Sequence, residues 1–233
     1  MTIRILAIIC VLATFLNAQS ILEPAYGLWG IGVTSKDRNY IGTDTDIGVS
    51  PLIFGGYGPV WIEANRLGVT VYRDGTNFAS VAAFFRSHQN RKDDKGLSDR
   101  KSSIDLGLHI GRRLGGGFTT RFAFLHDVTA SHKSYELDLQ VYRHDDIGPI
   151  SLLSAVGIQY QDKKLVDYYY GTNSYKPAAA FGGELEFIAT LPVGSFGIFA
   201  GTRIYFFDKE VKNSPIADGN RIDNFFLGFG YYL

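Results

Sequence analysis

Four residues in one short stretch, His126, Asp127, Ser131 and His132, carry the types that acyl-transfer chemistry uses. A serine nucleophile needs a histidine as base and a third polar group to orient that base. Ser131 sits in no nucleophile-elbow setting, and a rim loop holds such groups poorly, so the four read as solvated loop residues rather than a hydrolase site. Carboxylates gather at Asp37, Asp44 and Asp46 and again at Asp93, Asp94 and Asp99. Oxygen ligands of this kind suit Ca²⁺, but neither spacing is that of an EF-hand. Gly115-Gly-Gly117 is followed by no helix and no Lys-Ser/Thr pair, which makes it a turn and not a phosphate cradle. No catalytic, cofactor or metal residue is assigned, and the chain is not expected to be an enzyme.

The remaining candidates are charged residues spaced two apart in strand-like segments, so the elements that hold them come next. The chain opens with Arg4, continues with an apolar run from Ile5 to Leu16 and reaches a small residue at Ala18. That pattern is a secretory signal peptide over residues 1–18, too short for a membrane-spanning helix of about 20 apolar residues. Its removal takes away Cys10, the only cysteine, and leaves 22 basic and 23 acidic residues, so a disulfide or cysteine-held metal is excluded. A near-neutral chain offers nucleic acid no electrostatic footing. Residues 19–233 contain no linker-like break and are read as one domain.

Within that domain apolar and polar residues alternate. Ile104, Leu106, Leu108 and Ile110 share one face of a segment whose other face carries Asp105, Gly107 and His109. Such a period of two makes a strand. Segments of this kind recur at 25–34, 45–54, 59–64, 66–72, 78–88, 104–113, 117–127, 134–143, 150–160, 178–191, 195–207 and 223–233, twelve in all. The third and fourth are short and are read either as one bent region or as strands extended through Asn65-Arg66. Several others reach the ~10 residues that a tilted strand needs to cross a bilayer.

Connections after even-numbered segments are tight and several of the others are long and polar, as at 89–103, 162–177 and 208–222. Bacterial outer-membrane barrels alternate in this way, with short periplasmic turns and both chain ends in the periplasm. A soluble lipocalin-like barrel or sandwich also alternates, but it buries its apolar face. Here the apolar face is aromatic near strand ends, at Phe196, Phe206, Phe225 and Tyr231, and the other face is small or charged. The expected fold is therefore an all-β, antiparallel up-and-down transmembrane β-barrel of about 12 strands in the outer membrane of a Gram-negative cell, among its lipids and lipopolysaccharide.

Parity places Glu63, Asp105, His109, Arg121, Glu136, Asp138, Glu184, Glu186 and Arg203 on the inner face. They either line a polar passage for a solute or fill the lumen, with Arg121 and Arg203 pairing with surrounding carboxylates because charges removed from water need partners. Tyr168-Tyr-Tyr170 reads as a membrane-interface girdle or a loop anchor. The final strand resembles the signal read by the barrel-assembly machinery, with Gly228, Tyr231 and Leu233 in place. It departs in ending on Leu and in carrying Phe226 where a polar residue is common.

Three stretches resemble the MipA/OmpV family, also called MltA-interacting proteins. They are Tyr40-Ile-Gly-Thr-Asp44 with Pro51, then Tyr169-Tyr-Gly-Thr172 with Tyr175, Ala178, Ala180 and Gly182, and finally Asn213-Ser-Pro-Ile216 followed by Gly228-Phe-Gly-Tyr231. The resemblance implies an outer-membrane location and a scaffolding role between a murein transglycosylase and a murein synthase. Tight turns leave little periplasmic surface for such docking, which needs roughly 800 Å² from each partner. A narrow channel and, behind it, an outer-membrane hydrolase remain the alternatives.

Overall fold

The computed structural model describes residues 26–87 and 100–233. The expected leader (1–18), the segment that follows it (19–24) and the Asp93, Asp94 and Asp99 group lie outside the described residues. Twelve strands are present: β1 (Tyr26–Lys36), β2 (Asp46–Tyr57), β3 (Val60–Glu63), β4 (Arg66–Arg73), β5 (Asn77–Arg86), β6 (Ser103–Arg113), β7 (Phe118–Asp127), β8 (Tyr135–Ile147), β9 (Ile150–Gln161), β10 (Ala180–Val193), β11 (Phe196–Phe207) and β12 (Arg221–Tyr232). Each pairs with its neighbour in sequence, and β1 pairs antiparallel with β12 from Leu28↔Tyr232 to Lys36↔Asn224, which closes the barrel.

Closure removes every sheet edge over the paired length, the condition for β-structure to sit in hydrocarbon. The alternation sends large apolar side chains outward and leaves them uncovered: Val49 is 71% exposed and Phe229 61%. A soluble barrel would bury such residues. A continuous apolar outer band belongs against lipid.

The start of β1, the end of β12 and the five tight turns share one end of the barrel, since Tyr26 pairs with Gly56 and Leu28 with Tyr232. Two of these turns contain only Gly148-Pro149 and Gly194-Ser195, and their glycines take φ of 61° and 62°, where a side chain would be strained. The ladder β8–β9 continues to Ile147↔Ile150, so the connection between them is tighter than the sequence indicates.

β3 and β4 are two separate short strands joined by a hairpin at Ala64-Asn65, not one bent region. With only 4 residues, β3 covers β2 from Phe54 to Tyr57 and no further. The other end of the barrel carries longer connections. Residues 162–179 contain a helix α1 (Lys163–Tyr170), and residues 208–220 contain a single turn α2 (Lys209–Lys212). Asp162 and Asp208 cap them by accepting from the backbone N–H of Lys164 and Glu210. These segments read as polar loops in the sequence, yet they enclose their own apolar core.

Candidate functional site

Pairing through Arg66, Arg86 and Arg121 across strands that are not neighbours turns Glu63, Asp105, Arg121, Glu136 and Asp138 of the expected inner set toward the barrel interior; Glu184, Glu186 and Arg203 pair between adjacent strands, and His109 is buried. Arg86 on β5 donates to Asp105 on β6 at 3.0 Å and also to Glu136 on β8 at 3.2 Å. Arg121 on β7 reaches Glu63 on β3 at 2.9 Å and Gln140 at 2.7 Å. Arg66 on β4 stands 3.6 Å from Asp138 on β8. Arg203 binds Glu184 at 3.1 Å and Glu186 at 2.5 Å, and Gln159 and Gln161 donate to Glu184 and Glu136. Side chains on β3, β4 and β5 can meet β7 and β8 only through the lumen.

This arrangement spends its charges on one another. Each arginine faces at least one carboxylate, so the groups compensate the loss of water that burial imposes. His109 differs: it is buried 5.5 Å from the Trp61 ring, and neither ring nitrogen has a hydrogen-bond partner. One sector of the lumen is apolar instead. Leu28, Leu52 and Phe199 are buried there with Phe54 and Phe226 against them. Phe226 stacks on Phe54 at 5.4 Å, which explains a phenylalanine at an inner position of the last strand where a polar group is usual.

Two cavities flank the ionic layer. One, of about 170 Å³, lies toward the tight-turn end and is lined by Trp61, Glu63, His109 and Arg121 among others. The other, of about 380 Å³, lies toward the long connections, where Arg66, Arg86, Glu136 and Arg203 face Leu52 and Phe226.

Above the larger cavity three connections fold together. Tyr40, Leu165, Val166, Tyr169, Tyr170, Val211 and Ile216 form one buried cluster. The Tyr40 hydroxyl donates to the Tyr169 carbonyl at 3.1 Å, the Ser214 hydroxyl to the Tyr170 carbonyl at 2.6 Å, and the Ile41 N–H to the Ile216 carbonyl at 3.0 Å. Arg100 donates to the Gly171 carbonyl at 2.8 Å. Tyr40-Ile41, Tyr169-Tyr170 and Ser214 to Ile216, one piece from each of the three stretches that carry the family resemblance, therefore meet in one cap. Burial pushes the Tyr169 and Tyr170 hydroxyls up to about 12 and raises Tyr40 well above its ordinary value, so all three stay protonated. Of the two readings of Tyr168-Tyr-Tyr170, loop anchor fits Tyr169 and Tyr170; neither faces the membrane interface.

The stretch from His126 to His132 is not solvated throughout. Asp127 and His132 are both 5% exposed. Asp127 accepts from the N–H groups of Thr129, His132 and Lys133, and His132 Nε2 lies 3.0 Å from Asp105. The Ser131 hydroxyl donates to the Ser102 carbonyl at 3.0 Å, while His126 contacts the carbonyl of Asp127 and His132 contacts Asp105, so neither of these two histidines is directed at Ser131. Asp105, Asp127 and His132 come within 4.8 Å of one another, but backbone N–H groups already occupy the Asp127 carboxylate. Asp37 accepts from the Asn39 N–H and Asp46 pairs with Arg38 at 3.5 Å, so two of the three carboxylates of that group have local partners.

Arg66 and Arg86 are central to the lumen and absent from the inner set expected from the sequence. Arg86 lies in step with Ser80, Ala82 and Phe84, so its parity marked it. Arg66 lies in step with Gly68 and Thr70, opposite Leu67, Val69 and Val71, so its parity marked it as well.

A family model described as "MltA-interacting protein MipA" matches residues 29–232. The outer membrane protein Omp26La of Vibrio anguillarum is 28% identical over 134 residues, which is 53% of this chain and 52% of that relative. The outer membrane protein OmpV of Vibrio cholerae serotype O1 is 27% identical over 134 residues with the same shares, so the match spans about half the length of these two relatives. The MltA-interacting protein of Escherichia coli K12 is 24% identical over 207 residues, 81% of this chain and 83% of the relative.

Proposed function

The chain belongs to the MltA-interacting protein MipA family and is an outer-membrane β-barrel, and from that premise we propose that it is a closed structural barrel that serves as an envelope scaffold rather than a conduit. The observation that carries this reading is Arg86, which bridges Asp105 and Glu136 across the lumen beneath the loop cap. A conducting pore keeps charged groups hydrated along a passage. Here each lumen arginine is held against at least one carboxylate, and an apolar core of Tyr40, Leu165 and Val211 sits over one end.

A barrel with a filled lumen offers its surfaces, and the tight-turn end is the face presented to the periplasm in this orientation. The Escherichia coli relative is named as an MltA-interacting protein, and a murein transglycosylase is the class of partner proposed for this chain. The binding surface would be the five turns together with the segment ahead of β1. Refolded protein in a planar lipid bilayer should give no discrete conductance steps, and a tagged form should retain a murein transglycosylase from solubilised envelopes. Regular conductance steps would favour the channel instead. Failure to retain any murein enzyme would remove the scaffold.

A further inference from the structure

The short β3 leaves a hole in the barrel wall. β2 pairs with β1 along its whole length, but β3 covers it only from Phe54 to Tyr57, and the Ala64 N–H makes the last contact, to the Ile53 carbonyl at 2.9 Å. Beyond Ile53 the next strand on that side is β5, three strand spacings or about 14 Å away. The β5 flank is finished, because Asn65 exchanges hydrogen bonds with the Phe85 N–H and carbonyl at 2.9 Å each. Among the described residues nothing pairs with the β2 flank beyond Ile53. Backbone groups alternate in direction along a strand, so Ile47, Val49 and Pro51 aim theirs the same way as Ile53, into the gap. Proline at 51 removes one of those donors, as proline does on exposed strand edges.

The gap opens onto lipid, not onto water. Outward apolar side chains continue past the hairpin tip on both flanks: Ile47 and Val49 on β2 are each 71% exposed, and Phe85 and Ile104 are exposed on the other side. Unpaired backbone groups are costly within such a band unless the space beside them holds polar partners. The gap leads to such a space. The cavity of about 380 Å³ is lined by outward-facing Pro51 and Phe85 together with lumen residues Glu136 and Gln159, so it passes through the wall.

That cavity has two unlike walls. Leu52, Phe54 and Phe226 form an apolar shelf. Facing it, Arg66 and Arg86 hold the Phe84 ring between their guanidinium groups at 5.4 and 5.1 Å. Arg66 is 4% exposed; only its Nη2 is near a carboxylate, and its Nε and Nη1 have no hydrogen-bond partner. A buried cation with unused donors is held at a cost that an incoming anion would relieve.

We propose that the gap between β2 and the β3–β4 hairpin is a lateral portal through which a membrane amphiphile enters, its anionic head toward Arg66 and its apolar chain on the Leu52, Phe54 and Phe226 shelf. The volume is at the small end of the ~300–1,000 Å³ typical of ligand sites and suits one chain rather than two. The site is independent of the closed-lumen reading, since it opens sideways and not from end to end.

The test uses the full protein in phosphatidylcholine vesicles and a twelve-carbon carboxylate bearing a diazirine at its chain end. Photolysis and peptide mapping should place adducts on Leu52, Phe54 or Phe226 as well as on lipid-facing residues such as Phe187. Free dodecanoate should suppress the inner adducts, and dodecyltrimethylammonium should not. Arg66→Gln should lower inner labelling at least tenfold, and Ser50→Trp, which fills the cavity from its lining, should abolish it. Undiminished labelling of Phe187 in both variants shows that each is folded and inserted. Adducts on the outer band alone overturn the proposal. Equal competition by the two dodecyl compounds removes the anionic preference and overturns it too. So does a second polypeptide found paired along β2, which would occupy the portal.

Discussion

The Tyr40 hydroxyl donates to the Tyr169 carbonyl at 3.1 Å, joining residues 129 apart in the chain at the centre of the loop cap. A second hydroxyl does the same one residue on, from Ser214 to the Tyr170 carbonyl. Both carbonyls belong to the last turn of α1, where intrahelical partners run out. Tyr40→Phe and Ser214→Ala each leave a buried acceptor unmatched, at a cost of about 1–3 kcal/mol. The loss should be local. Hydrogen exchange in residues 163–171 should quicken several-fold in either variant, while exchange in β6 to β9 stays as it was. Faster exchange throughout the barrel would mean that the cap is part of the barrel's own cooperative unit.

Arg86 tests the ionic layer. Its side chain is 11% exposed, and it holds Asp105 and Glu136, at 1% and 4%. Removing one member of a buried ion pair strands the other, at roughly 3–5 kcal/mol. Arg86→Met should therefore lower the urea midpoint of the vesicle-inserted protein substantially. Adding Asp105→Asn and Glu136→Gln should restore most of it, because neutral amides need no counter-charge. A triple variant no better than the single one would show that Arg86 matters through its packing on Phe84 and not through charge.

Asp162 gives the cap a pH dependence. Burial works against its ionisation, but the Ser134 hydroxyl and the N–H groups of Lys164 and Lys163 donate to the carboxylate, and the balance holds it below the ordinary range. A carboxyl depressed on folding stabilises the folded state fully above its unfolded value of ~3.9, and that contribution is lost as pH falls further toward the folded value. The stability gap between the native protein and Asp162→Asn should be constant above about pH 5 and shrink below about pH 4. Urea midpoints measured from pH 3 to pH 7 check this. A gap that widens on acidification would contradict the sign.

How far these features were legible in the chain depends on whether their cause is local. Strand number and facing were legible because period-two alternation is a local pattern, clear in Ile104 to Ile110 and in Tyr135 to Tyr142. The cap was not. Its core unites Tyr40, Leu165 and Val211 from three loops, and each loop alone looks polar; only the tertiary fold shows that these apolar residues share a surface. The pairing of Arg66 with Asp138 was hidden for a similar reason: the alternation turns Arg66 inward, but only closure of the barrel sets β4 across from β8. Inner parity implied a uniformly polar lumen. It missed that Phe54 on β2 meets Phe199 and Phe226 on β11 and β12, which closure of the barrel through β1 brings into one sector.

Gly68 tests how tightly the smaller cavity is packed. A Cβ at this position would lie 2.2 Å from the Trp61 ring, which crosses the β4 backbone to reach Ser80 Oγ at 3.4 Å and stands beside His109. A ring wedged between strands cannot withdraw as a lysine tip can, so Gly68→Ala must displace the indole. Overpacking of this kind costs about 1–3 kcal/mol. The chain has 2 tryptophans, so the displacement is visible directly: emission should shift to the red and its quenching by aqueous acrylamide should rise. Ser80→Ala separates packing from hydrogen bonding. It should leave the emission nearly unchanged, because the Trp61 donor contact is long and the ring's position is set by the glycine beneath it. If Ser80→Ala shifts the spectrum as far as Gly68→Ala does, the hydroxyl and not the glycine places the ring.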